Sequence, residues 1–128
     1  MDVKKQEQGA KNRLIGKWGE ALVANDLRRK GWRILASGYR CRLGEIDIIA
    51  SDGKFLSFTE VKLRKSAAYG TAGEAVTLRK RSRIRATAEL YLARYPTKLQ
   101  PRFDVAEVYA PEGTDTVDPR INYIENAF

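Results

Sequence analysis

Four charged residues lie inside two otherwise apolar runs of this chain, and their types suit hydrolytic chemistry on a phosphodiester. Glu45, Asp47, Glu60 and Lys62 interrupt Gly44-Glu45-Ile46-Asp47-Ile48-Ile49 and Phe55-Leu56-Ser57-Phe58-Thr59-Glu60-Val61-Lys62. The Asp52-Gly53 pair between the runs is a hairpin signal, so two antiparallel strands are expected. With Asp52 and Gly53 as the turn, Asp47 faces Phe58 and Glu45 faces Glu60. Period-two alternation then puts all four charged residues on one face, with Asp47 and Glu60 as diagonal neighbours about 7–8 Å apart at the backbone. A four-residue turn, Ser51 to Lys54, keeps this parity; three or five residues would split the acids between faces.

Carboxylates this close repel unless something positive sits between them. A divalent ion meets that need, and Mg²⁺ (or Mn²⁺) is the expected cofactor, since magnesium prefers oxygen ligands and keeps water and substrate phosphate in its shell. Lys62, two residues beyond Glu60, can place a point charge near an attacking water or the phosphate.

This pattern resembles the PD-(D/E)xK nuclease superfamily, and more closely the YraN-like family, which shares its core with archaeal Holliday-junction resolvases. The resemblance runs from about Gly16 to Val108. It is carried by Gly19-Glu20 in a first helix, Gly44-Glu45-Ile46-Asp47 and Glu60-Val61-Lys62 in successive strands, and Arg102-Phe103-Asp104-Val105 in a later one. Ile46 stands where the superfamily has a proline, as the YraN-like pattern also has it. The resemblance implies a restriction-endonuclease-like αβββαβ core, a mixed sheet flanked by helices. On this reading Asp47 and Glu60 bind the metal with the Val61 carbonyl, Glu20 holds a metal-bound water or a second ion, Lys62 orients the attacking water, and Glu45 supports them.

The elements that must position these residues follow from pattern. Residues 1–12 are polar and patternless and are expected to be a flexible arm, leaving 13–128 as one domain. A first helix is expected from near Arg13, with Leu14, Ile15, Trp18 and Leu22 on one apolar face and Val23 and Leu27 on another. Gly16 and Gly19 within it suggest close approach of another backbone or of a substrate. Gly31 suits the C′ position. A strand follows from Trp32 through Arg42, giving three antiparallel strands with the central hairpin. Residues 64–74 hold small residues and two glycines and are expected to form a mobile loop bordering the site.

Thr77 is the expected N-cap of a second helix whose apolar face carries Leu78, Ile84, Ala88, Tyr91, Leu92 and Tyr95, ending at Pro96. Its basic run lies near the positive helix end, and Arg64, Lys65, Arg79, Lys80 and Arg83 are the expected phosphate contacts. Arg102 to Tyr109 reads as a fourth strand, parallel to the third because a helix intervenes. Ile121, Tyr123 and Ile124 suit a last edge strand.

Composition narrows the function classes. Histidine is absent, which excludes Ser-His-Asp and Cys-His catalysis and any histidine-ligated metal. The lone Cys41 permits no internal disulfide and reads as a small apolar residue. No apolar run suits a signal peptide or a membrane span, so a cytoplasmic protein is expected. Net charge is +8, with 22 Lys/Arg against 10 Asp/Glu in residues 1–100 and 2 against 6 in 101–128. A basic body of this kind attracts nucleic acid, DNA foremost.

The expected function is metal-dependent phosphodiester hydrolysis on DNA, with branched or junction DNA among the candidate substrates. The rival is a non-catalytic nucleic-acid-binding module with the same fold. A homodimer, and a protein partner bound through the acidic C-terminal segment, stay open.

Overall fold

The structure, a computed structural model, describes residues 3–65 and 76–128, with side chains from Gln6 onward. The expected bordering loop falls almost wholly outside these residues. The element order is α1 (Val3–Arg29), β1 (Arg33–Cys41), β2 (Gly44–Ser51), β3 (Phe55–Arg64), α2 (Leu78–Arg94), β4 (Gln100–Tyr109), a 3-10 turn at Gly113–Asp115, and β5 (Arg120–Ile124). The sheet runs β1-β2-β3-β4-β5, with β3 and β4 parallel and every other neighbouring pair antiparallel. This is the expected α/β architecture: an αβββαβ core with an edge strand added.

Two apolar clusters lie one on each side of the sheet. Val23, Ala24 and Leu27 of α1 pack on Ile48, Ala50, Ala106 and Val108. Ile84, Ala88 and Tyr91 of α2 pack on Ile46, Ile49, Leu56, Phe58 and Val105. Burying each large apolar side chain contributes roughly 1.5–3 kcal/mol, so β2 and β4, which give buried apolar residues to both clusters, hold much of the stabilisation.

Several expectations need correcting. The helix begins at Val3, not near Arg13: residues 4–11 are mostly Lys, Gln, Glu and Ala, good helix formers without proline. Its buried stripe is Val23-Ala24-Leu27, while Leu14 is exposed, because only the second half of α1 lies over the sheet. On α2, Ile84, Ala88 and Tyr91 are buried as expected, but Leu78 and Tyr95 at its ends are exposed. Thr77 is the N-cap, its hydroxyl accepting from the Lys80 amide at 3.2 Å.

The acidic C-terminal segment is partly built into the body. Asp104 and Glu107 are buried and paired with Arg102 and Arg64, whereas Glu112, Asp115, Asp118 and Glu125 are exposed. Asp104 accepts from the Ser57 hydroxyl, the Arg102 guanidinium and the Asn126 amide. It therefore ties β3, β4 and the C-terminus together on the α1 side of the sheet. Phe128 stacks on Phe103 with ring centroids 5.4 Å apart.

Candidate metal and phosphate site

The turn after β2 sets the position of the acids. Ser51 pairs with Leu56, so four residues, Asp52 to Phe55, lie outside the β2–β3 ladder. The Asp52 carboxylate accepts from the Lys54 and Phe55 amides at 2.9 and 2.8 Å, and Gly53 takes a φ of +91° that favours glycine. Paired residue numbers now sum to 107, two more than the two-residue turn gives. Parity is kept within the ladder, but Phe58 pairs with Ile49 rather than with Asp47, and Asp47 and Glu60 both lie just past the last pair, Ile48–Thr59. Glu45 pairs with Arg40 on β1, which the tight Arg42-Leu43 turn brings across, and their side chains meet at 3.2 Å.

The single shared face is also corrected. Ile46 packs under α2 and Ile48 under α1 although they are two apart, so alternation slips at Asp47. On β1, Gly38, with a φ of +67°, lies opposite the slip. The β2–β3 ladder stops at Ile48–Thr59, and one step beyond it the Asp47 carboxylate accepts from the Val61 amide at 2.8 Å. Where the strands part, carboxylates enter from both sides of the sheet. Glu20 comes from α1, Glu60 lies on the α2 side, and the Asp47 carboxyl is within hydrogen-bonding reach of both. Carboxylate oxygens of Glu20, Glu45 and Asp47 all lie within 4.8 Å of one another.

Burial of so many acids raises their proton affinity. Burial, helped by the nearby Glu20 and opposed by the Val61 amide, pushes Asp47 up to about 6. Burial and then the charge of Glu45 and Glu60 raise Glu20. Burial and the charge of Asp47 raise Glu60, against the pull of Lys80 and Lys62. Half-buried oxygens that compete for protons suit a hard divalent ion, which binds oxygen donors and removes their repulsion. Glu45, expected only to support, stands among those donors. The signal for it was the Gly44-closed turn, which fixes Glu45 across from Arg40.

The cations are arranged differently from expectation. Lys62 Nζ lies 3.7 Å from Glu60 Oε1, and burial together with the charge of Lys80 lowers its pKa from the ordinary lysine value. Lys80 also pairs directly with Glu60 Oε1. Arg64 is mostly buried, with a side chain 11% exposed, 3.7 Å from Glu107, so it does not stand open for phosphate as expected. Lys65 is exposed. Arg79 and Arg83 line a cleft of about 640 Å³ between α2 and the β1–β2 hairpin, and Asp47 and Glu60 form part of its wall. Arg81 and Arg85 turn instead toward Phe128, so the helical period divides the basic run between two sides. Cys41 lines the same cleft half-buried, beside the Thr87 hydroxyl at 3.8 Å.

Residues 19–108, the stretch that holds every acid and lysine of this centre, match the uncharacterised protein family UPF0102. The chain belongs to this family. It is 47% identical over 119 residues to a UPF0102 protein of Symbiobacterium thermophilum, covering 91% of this chain and 98% of the relative. A UPF0102 protein of Clostridium botulinum strain Loch Maree is 42% identical over 119 residues, covering 91% and 95%. One from Alkaliphilus metalliredigens is 41% identical over 118 residues, covering 91% and 99%. In this UPF0102 chain no helix among the described residues is long and apolar enough to cross a membrane.

Proposed function

We propose that the acidic centre of this UPF0102 chain is a divalent-metal phosphodiesterase site acting on nucleic acid, DNA first of all. The observation that carries the reading is the meeting of Glu20, Glu45 and Asp47 at a break in the sheet, with Glu60 beside Asp47 and Lys62 beside Glu60, on the wall of a cleft lined by Arg79 and Arg83.

Glu20, Glu45, Asp47 and Glu60 are the residues that would hold Mg²⁺ or Mn²⁺. The ion would supply Lewis-acid charge at a phosphoryl oxygen. The Val61 amide fixes the Asp47 carboxylate, so one ligand oxygen is oriented by backbone rather than by a free rotamer. Lys62 sits on a strand beside Glu60, where its ammonium can orient water and offset charge developing on phosphorus. Arg79 and Arg83 can seat flanking phosphates without reading bases, giving binding that varies little with sequence.

Lys62→Ala should lower turnover while leaving metal and DNA affinity nearly intact, because a charge used mainly at the barrier affects rate more than ground-state binding. Glu60→Gln should weaken metal binding and turnover together. The assay takes nicked, flapped, four-way and plain duplex DNA with Mg²⁺ and Mn²⁺ in parallel. Cleavage undiminished in both variants would assign the activity to a contaminant. No cleavage on any substrate would favour the binding module, a reading that the pairing of Glu60 by Lys80 also favours, since an acid already neutralised within the chain needs no metal.

A further inference from the structure

Lys80 holds a position that phosphate contact alone does not explain. It is the third residue of α2, on the wall of the basic cleft, yet its ammonium is paired with Glu60. Glu60 is only 5% exposed, and a carboxylate so buried must be neutralised. Lys62 approaches the same oxygen, Oε1, at 3.7 Å. With both ammonium groups on Oε1, a divalent ion taking Oε2 would stand within a few ångströms of two positive charges, and the three would repel one another. Lys62 is fixed on β3 with its side chain 25% exposed, while Lys80 is 42% exposed and opens on the cleft. The group with room to leave is therefore Lys80.

We propose that Lys80 is the internal counter-ion of Glu60 when no divalent ion is bound, and that an ion taking this carboxylate releases its ammonium to a substrate phosphate. This rests on the metal-centre reading and gives it an order: metal first, phosphate second. Released Lys80 lies between Arg79 and Arg83 at the start of α2, where the amide groups of a helix end also favour an anion. Metal and phosphate both favour the released lysine, so each tightens the binding of the other, and by linkage the effect is equal in both directions.

The experiment measures Mn²⁺ affinity by calorimetry on the full chain, with and without a hydrolysis-resistant phosphorothioate duplex. Lys80→Met keeps the length of the side chain and removes its charge. Lys80→Arg keeps a cation, and Lys98→Met removes an exposed charge elsewhere. Without DNA, Lys80→Met should bind Mn²⁺ about tenfold more tightly than wild type, the change expected from one lost charge-assisted hydrogen bond. Lys80→Arg and Lys98→Met should stay near wild type. DNA should tighten Mn²⁺ binding in wild type but not in Lys80→Met. Saturable Mn²⁺ binding that is lost in Glu60→Gln but unchanged in Lys80→Met would overturn the role of Lys80 and leave the metal centre standing. No Mn²⁺ binding by wild type or by Lys80→Met would overturn both. Circular dichroism on each variant separates loss of fold from loss of binding.

Discussion

Asp47 carries the largest tension in the centre. Its folded pKa of about 6 lies above the ordinary 3.8 because burial and Glu20 disfavour the charged form. A carboxyl raised in this direction contributes stability that is full below its unfolded pKa and is lost as pH rises through the folded one. In chelator-treated protein the loss runs from about pH 4 to pH 7 and is on the order of 2–3 kcal/mol from this group. Glu20 and Glu60, also raised, act with the same sign. Asp47→Asn can still accept from the Val61 amide and carries no charge to bury. The metal-free variant should therefore melt higher than wild type at pH 7.5, match it near pH 4, and show a flatter profile of melting temperature against pH. A variant that melts lower at pH 7.5 would show that the carboxylate is already well compensated.

The elements hold the centre through close contacts that differ from one glycine to the next. A Cβ at Gly44 would come 3.0 Å from the Thr87 hydroxyl, which is itself buried and donates to the Arg83 carbonyl at 2.8 Å. The β1–β2 turn and α2 touch here, and that contact sets the width of the cleft. A Cβ at Gly16 would meet no other chain segment within 4 Å, whereas one at Gly19 would come 3.2 Å from the Leu63 side chain, so what approaches there is a side chain rather than the expected backbone. Gly16→Ala should stabilise the chain by about 0.5–1 kcal/mol through helix propensity alone. Gly44→Ala should destabilise it by about 1–3 kcal/mol by forcing α2 from β2. Urea unfolding of the two variants checks both signs, and a stabilised Gly44→Ala would mean that the contact yields easily.

Across the whole molecule, the basic surface nearest the acids is a small part of the total charge. Arg79 and Arg83 face the cleft, Arg81 and Arg85 turn toward the C-terminal Phe128, Arg64 is mostly buried against Glu107, and Lys80 is held by Glu60. If the two cleft arginines each contact one phosphate, replacing both with alanine should weaken binding alike for unrelated duplexes. It should also lower the slope of log K against log salt by about 1.8, from 0.9 per contact. An unchanged slope would assign DNA binding to another surface, such as the groove beside α1 lined by Arg13, Lys17 and Arg40.

The sequence by itself determined the fold class and singled out acids of β2, β3 and α1 that the fold brings near one another. Apolar runs broken at Glu45, Asp47, Glu60 and Lys62, an Asp-Gly turn, a Thr N-cap and a crossover helix are local signals, and local periodicity specifies elements and their parity. The two-residue register shift has a local cause that the Asp-Gly signal alone does not reveal: Ser51 and Asp52 accept from amides two and three residues ahead and lengthen the turn. Only the tertiary structure decided the slip of alternation at Asp47, since it needs both Gly38 opposite and two helices competing for neighbouring side chains. The burial of Arg64 and the capture of Lys80 by Glu60 pair residues 43 and 20 positions apart. No spacing rule reaches that far, and which cation a buried carboxylate takes is settled by what folding leaves beside it.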